Sequence, residues 1–450
     1  MTGVDPIEPQ RCVLVLPSTG EFDSRTYRIA SSLAARGHAV TVVARQEPGV
    51  PRDEIHPLGY RILRVPVSAL AGLPGPVRSI ARRVRPGSAQ PPGDGETEGS
   101  KVGTAGADGP RKAGGVDRLR RLASGFFRLG AIALTVRAQQ IASRQVAPTA
   151  DLVHAMAYMG IPVGLALGRR DRAPVVYDAR DIYVDAANLA RLPRPARALF
   201  GRIERGWARR ATRVITVNEP YAAVMTERFG VERPLVVMNC SYRRPADPVR
   251  PRHFQDRLGF GPEIRVVLYQ GAFSRDRGIE QLIDALRLLP PDAVLVLVGY
   301  GALRAELEQV ARDPALSSRL FVLPAVPPTE LLDWVASADV VAMPIQPTTL
   351  NHRLTTPNKL LEAMAAGVPV VASDLPGMAP IVLATGCGVV CDPTDPVALA
   401  AAIRSILELP EAERAAIGAR GLEAAHATYN WESQMALLLA EYGRLTGRPW

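Results

Sequence analysis

Short apolar runs alternate with stretches of helical character along most of the chain, and this alternation limits the fold more than any other feature. In the first half the runs are RCVLVLP at 11–17, His38–Ala44, residues 60–66, DLVHA from Asp151, APVVYDARD and ATRVITVN. In the second half they are Ile264–Gln270, Ala293–Val298, residues 320–323, VVAMP, Val368–Ala372 and the run through Cys391. Apolar strands separated by helices need right-handed crossovers, so they build parallel sheets covered on both faces. Such sheets bind ligands beyond the carboxyl ends of their strands. The 450 residues have room for two or three domains, each with its own core. The Pro- and Arg-rich stretch MNCSYRRPADPVRPRHFQD, residues 238–256, interrupts the alternation. The expected organisation is an N-terminal domain at 1–240, a linker at 241–260, a second domain at 261–430 and a closing helix at 431–450.

Charge and composition narrow the partners. A formal net charge of +10 suits an anionic membrane surface, a diphosphate substrate or nucleic acid. Nucleic acid is set aside, because no recognised binding motif is present and aromatics make up only 5%. The four cysteines, Cys12, Cys240, Cys387 and Cys391, do not make two metal-type pairs. Cys12, Cys387 and Cys391 sit in apolar runs and read as buried thiols of a reducing compartment. The polar N-terminus MTGVDPIEPQ does not read as a leader, and no apolar run is long enough to span a bilayer. The expected location is cytoplasmic, with peripheral contact at the inner face of the plasma membrane.

Between about 70 and 116 the composition changes. Arg78, Arg82, Arg83 and Arg85 form a basic cluster suited to an acceptor or a lipid surface, and nine glycines follow within residues 87–116. This reads as a flexible insertion without a core. Residues 117–145 then read as a long helix with six arginines. Its apolar residues spread around the wheel, which favours a helix packed on the sheet over a membrane-surface helix.

The chemistry concentrates in TTPNKLLEAMAAGVPVVASD, residues 355–374. Thr355 or Thr356 is placed to cap a helix, Pro357 suits its first turn, and Gly367 ends it before the strand Val368–Ala372. The start of such a helix offers unpaired amides to a phosphate, and Lys359 adds a full charge. One turn on, the Glu362 carboxylate is suited to accept two hydrogen bonds from a vicinal diol such as a ribose. Gly299 and Gly301 allow close backbone approach at another strand end. In the first half, His154 occupies one strand end, and Asp178, Arg180 and Asp181 occupy another. His154 is either a functional or a satisfied structural histidine. Asp178 and Asp181 either orient an acceptor hydroxyl or pair with Arg180.

Residues 357–370, PNKLLEAMAAGVPV, resemble the donor-binding segment P-N-K-L-x-E-x-M-A-A-G-x-P-V of bacterial glycosyltransferases of family 4. Asp23, Arg25, Gly37 and His38 are similar to that family's first βαβ unit. YQGAFSRDRG resembles its diphosphate loop, with Gly271 kept, Arg277 at the lysine position and Ala272 at the first arginine position. The second glutamate of the family's E-x7-E motif falls on Glu362, and the first position is Leu354. D-A-R-D replaces the family's D-A-H-[DE] turn, and Met156 takes the second place of an H-x-H pair. The resemblance implies the GT-B fold: two Rossmann-like parallel-sheet α/β domains facing across a cleft, with a C-terminal helix crossing back to the first. It implies a donor site of Gly271, Arg277, Gly299, Gly301, the backbone near Val326, Asn351, Pro357, Asn358, Lys359, Leu360 and Glu362. It puts His154, Asp178 and Asp181 on the acceptor side as candidate catalytic residues.

On this resemblance the chain is a retaining glycosyltransferase that needs no cofactor or metal. It would move a sugar from a nucleotide sugar to a lipid-linked or envelope glycan by front-face attack. No D-x-D pair, H-E-x-x-H or P-loop is present. A nucleotide-sugar epimerase on the same fold, or a degenerate subunit regulating a partner enzyme, are the alternatives; Ala272, Met156 and Leu354 bear on the second.

Overall fold

The computed structural model describes residues 8–20, 23–67, 115–244 and 250–450. Arg78, Arg82, Arg83 and Arg85, and the insertion up to residue 114, lie outside the described residues. The chain divides into two compact units. One takes the residues up to Thr216, Ala222–Val236 and Leu437–Trp450; the other takes Val217–Tyr221 and Val237–Ala436.

The first unit is built on an eight-stranded sheet. Its strands are β1 (Arg11–Val15), β2 (Ala39–Arg45), β3 (Asp53–Ile55), β4 (Arg61–Val65), β5 (Leu152–Met156), β6 (Val175–Asp178), β7 (Arg213–Thr216) and β8 (Leu235–Val236). They lie in the order β3-β4-β2-β1-β5-β6-β7-β8. All neighbours are parallel except β3 and β4, whose short antiparallel pairing the apolar pattern did not announce. Cys12 to Leu16 are buried, as a central strand covered on both faces requires. Helix α1 (Ser24–Ala34) starts at Asp23, whose carboxylate accepts from Thr26 N at 2.8 Å. Helix α2 runs unbroken over Gly115–Val146. Its later half is built into the first unit, with Val136 and Gln139 buried and Gln139 Nε2 donating to Leu16 O at 3.1 Å. Helix α3 (Ala157–Asp171) follows β5.

The second unit repeats the plan with six strands. They are β9 (Arg265–Ala272), β10 (Ala293–Tyr300), β11 (Leu320–Pro324), β12 (Val340–Met343), β13 (Val370–Ser373) and β14 (Gly388–Cys391). The order β11-β10-β9-β12-β13-β14 is parallel throughout. It is the doubly wound order whose direction reverses between β9 and β12, so the ligand crevice belongs at the carboxyl ends of those two strands. Alternate residues feed separate cores: Val266 and Leu268 join one apolar cluster, Val267 and Tyr269 the other. Helix α4 (Ile279–Leu286) follows β9, and helix α5 (Asn358–Ala366) precedes β13.

Residues 241–260 were expected to link the domains, yet the described part of this stretch is built into the second unit. Cys240 is fully buried, and Ser241 O accepts from Trp431 N at 2.8 Å. Phe254 is fully buried with its ring 5.3 Å from Trp334. Apolar residues spaced within a Pro- and Arg-rich run are enough to dock it. The last helix, α6 (Trp431–Thr446), has its first residues in the second unit and the rest in the first, where Tyr442 and Trp450 are buried. His38, read as a strand-edge residue, is buried with its ring 4.9 Å from that of Trp450. Among the described residues no helix is long and apolar enough to cross a membrane.

Candidate donor site

The carboxyl end of β9 is shaped by residues that need little room. Gly271 takes φ +119, and a Cβ on Gly299 would lie 1.9 Å from Gly271 O. Gly301 takes φ +138 against the Phe273 backbone. These glycines thus let the ends of β9 and β10 close on each other, so their small size serves the sheet itself. The turn after β9 is fixed as tightly. Asp276 (φ 68) and Gly278 (φ +75) both lie in the left-handed region and flank Arg277. Asp276 O accepts from Gln346 N at 3.0 Å, just beyond β12, and a Cβ on Gly278 would meet Pro344 O at 1.9 Å. Arg277 is therefore held at the switch point of the sheet.

Arg277 is half-buried and makes no hydrogen bond or ion pair among the described residues. Cationic and titratable groups surround it instead. Lys359 is buried in the first turn of α5, with Nζ 3.8 Å from the centre of the Tyr269 ring. Burial, and then the Arg277 charge, lower the Lys359 ammonium to about 7, with Glu362 opposing. Lys359 is thus not the exposed, fully charged lysine that its helix position suggested. His352 is also held below its usual range by burial and by Arg277, with Asp276 opposing. Cations that depress one another, with Glu362 and Asp276 offsetting them only in part, suit an anionic ligand.

The helix start is open, although not in the way expected. Pro357 occupies the cap position of α5, and no side chain caps it. Thr356 turns away: its hydroxyl donates to Gly377 O at 2.6 Å and accepts from Asn218 Nδ2 at 3.1 Å. Asn358 is exposed, Leu360 fully buried and Glu362 half-buried. Gln270 Nε2 donates to Glu362 Oε2 at 2.8 Å. Asn351 is buried, and its carbonyl accepts from Tyr221 Oη at 2.9 Å. Val326 is half-buried against the core after β11. Tyr269 and Gln270 in β9, and His352 in the short helix Leu350–Leu354, give no local signal in the sequence, because the groups they meet lie on other elements.

In the first unit, His154 and Asp178 are fully buried. Arg25 Nε donates to Asp178 Oδ2 at 2.6 Å, and His154 Nε2 lies 3.1 Å from the same oxygen. Burial pushes the Asp178 carboxyl up, but Arg25 and His154 outweigh it and hold it well below the usual carboxylate range. A carboxylate only accepts, so the imidazole proton sits on Nε2, and Tyr442 Oη donates to Nδ1 at 2.5 Å. Burial keeps His154 below its usual range and neutral, against the pull of Asp178. Arg180 pairs with Asp23 at 2.6 Å. Asp178 is taken by Arg25. Asp181 is half-buried in the turn beyond β6.

A chain with two doubly wound parallel-sheet units has the fold of a GT-B protein. Residues 252–423 match the family model described as "Glycosyl transferases group 1", and residues 22–240 match "Glycosyl transferase 4-like domain". The chain belongs to the family 4 glycosyltransferases. It is 32% identical over 208 residues to D-inositol 3-phosphate glycosyltransferase of Xylanimonas cellulosilytica, covering 45% of this chain and 48% of that one. It is 33% identical over 198 residues to the GDP-mannose-dependent alpha-(1-6)-phosphatidylinositol monomannoside mannosyltransferase of Mycolicibacterium smegmatis, covering 43% and 51%. The chain thus spans about half the length of these curated relatives. Sucrose-phosphate synthase from Thermosynechococcus elongatus shares the fold over 97% of this chain and 99% of its own, with a TM-score of 0.69 at 21% identity.

Proposed function

We propose that the protein is a retaining glycosyltransferase that takes a nucleotide-sugar donor in its second unit. The observation that carries this is Arg277: a half-buried guanidinium without an acidic partner, at the switch point of a parallel sheet, beside Lys359 and an uncapped helix start. A departing nucleoside diphosphate would give these groups the negative charge they lack, and preorganised cations stabilise a leaving group as its charge develops. Glu362 is assigned to the ribose, with Gly271, Gly299, Gly301, Val326, Asn351, Pro357, Asn358 and Leu360 as framework or backbone contacts. The retaining, metal-independent route is carried over from the family resemblance.

For the acceptor, the proposal is a lipid-linked or envelope glycan reached at an anionic membrane surface. The relatives named for inositol 3-phosphate and for phosphatidylinositol monomannoside support this class. Arg78, Arg82, Arg83 and Arg85 are proposed for the surface contact. His154 and Asp178 are proposed to set the acceptor side through their buried network, and Asp181 to meet the acceptor hydroxyl.

Calorimetric titration with UDP and GDP tests the donor site. Arg277→Ala is expected to weaken the better ligand roughly 10- to 100-fold, the range for losing a hydrogen bond to a charged group. An unchanged affinity in that variant, with far-UV dichroism intact, rejects the assignment. Binding without sugar transfer to any membrane extract would move the reading to a regulatory subunit.

A further inference from the structure

We infer that a cavity in the first unit, at the amino ends of β1, β5 and β6, is a binding site for a phosphate monoester. It stands whether or not the second unit takes a nucleotide. The cavity measures about 580 Å³, a size that holds a small-molecule ligand. Its walls come from the chain entering β1, the loop before β5, the turn from α3 into β6, and the end of α6 with the residues after it. The usual ligand crevice of a parallel sheet lies at the other end of the strands, where Asp178 ends β6.

Charge decides what the cavity takes. Four arginines against two aspartates leave the lining with a net charge of +2. Two of the arginines are committed. Arg11 Nε and Nη2 donate to Asp151 Oδ2 and Oδ1 at 3.1 and 2.8 Å, and Arg170 Nε and Nη2 donate to Asp171 Oδ1 and Oδ2 at 2.6 and 2.8 Å. Arg11 N and Ala150 N each add a bond to one of these carboxylates. All four carboxylate oxygens are therefore met inside neutral pairs, which leaves little for a cation. Arg172 and Arg448 remain. Arg172 caps α3 in the left-handed region, φ 56, a place where a side chain costs conformational energy, and makes no side-chain hydrogen bond or ion pair among the described residues. Arg448 donates to Gln10 Oε1 at 3.3 Å and has no carboxylate in ion-pair reach among the described residues. Gln10 is a firm anchor for it: it is 1% exposed, its Nε2 donates to Glu8 O at 3.0 Å and its N to His38 Nδ1 at 3.2 Å. Two guanidiniums with N–H groups to offer, over walls already neutral, match a group with close to two negative charges above pH 7 and several acceptor oxygens. Phosphate alone fills a fraction of the space, which leaves room for the organic part of an ester. Soluble sugar phosphates and the phosphate of phosphatidic acid share this chemistry.

The test is titration calorimetry with glucose 6-phosphate, run in Arg277→Ala protein so that the donor site contributes little. Adding Arg172→Ala and Arg448→Ala together is expected to weaken this ligand roughly 30-fold or more, as losing two charged donors should. Glucose is expected not to bind. Arg210→Ala, which changes an exposed arginine of the same unit outside the cavity, should leave the affinity unchanged. In the wild-type protein, hydrogen exchange should show glucose 6-phosphate slowing residues 149–151, 170–174 and 445–450. Flotation with phosphatidylcholine vesicles carrying phosphatidic acid separates the two sources. Glucose 6-phosphate binding that the paired variant loses assigns the site to a soluble ester; vesicle capture that the paired variant loses, without glucose 6-phosphate binding, assigns it to a lipid phosphate. Binding of neither probe overturns the inference, as does an unchanged affinity in the paired variant. An equal loss in Arg210→Ala overturns it too, because the protein would then attract anions through its general basic charge.

Discussion

Lys359 carries the clearest pH signature at the level of single residues. Its folded value of about 7 lies below the ordinary 10.5, so the fold favours the neutral amine. Between about 7 and 10.5 the unfolded chain therefore binds more protons at this position than the folded one. Stability of the ligand-free protein from this group rises with pH through that window and is lowest below 7. Lys359→Met is expected to raise the melting temperature most at pH 6 and least at pH 9, measured without ligand by scanning calorimetry. A diphosphate has the opposite preference, since it favours the charged ammonium. Nucleoside diphosphate binding should take up a proton near pH 8 and weaken as pH rises from 7 to 9, with Lys359→Met flattening the slope. Calorimetry at pH 8 in two buffers of different ionisation enthalpy measures that uptake directly.

At the level of elements, the turn from β9 into α4 and the start of α5 were the most legible parts of the sequence. Pro357 and Lys359 stand out from local pattern, Gly271 and Arg277 from the family resemblance, and the structure brings their elements together at the carboxyl end of the second sheet. What was not legible depends on non-local partners. The Thr356 hydroxyl had two possible roles, and Gly377 O won it from the helix. Arg25 takes Asp178 across 153 positions of sequence. β3 is three residues long, too short for any periodicity to register. The turn yields a sharp prediction. Gly278→Ala forces a Cβ against Pro344 O from a left-handed backbone, and is expected to destabilise the protein by ~2–4 kcal/mol. Urea denaturation measures this, and the same displacement of Arg277 is expected to weaken nucleoside diphosphate binding. Gly130→Ala, where a Cβ meets nothing within 4 Å, should lack both effects and serves as the control.

On the scale of the whole molecule, each sheet has its own core, and so lesions in one unit should be read out mainly in that unit. Asp178→Asn tests this. The substitution removes the countercharge of Arg25, whose side chain is 1% exposed, and weakens the acceptor of the His154 proton. Breaking one side of a buried pair is expected to cost ~3–5 kcal/mol. The wild-type contribution of Asp178 is fully present above its ordinary carboxylate range and is lost only as pH falls towards its depressed folded value, so the mutant gap should narrow below about pH 4. Hydrogen exchange followed by mass spectrometry locates the damage. Peptides covering β1, β5, β6 and the Tyr442 end of α6 should lose protection in Asp178→Asn. Those covering β9, β10, β12 and β13 should exchange as in the wild type. A nucleoside diphosphate at 100 times its dissociation constant should do the reverse, adding ~2.7 kcal/mol of protection to the second unit. Equal deprotection of both sheets by Asp178→Asn would mean that the chain opens as one cooperative body, and the two cores would then have to be treated as a single folding unit.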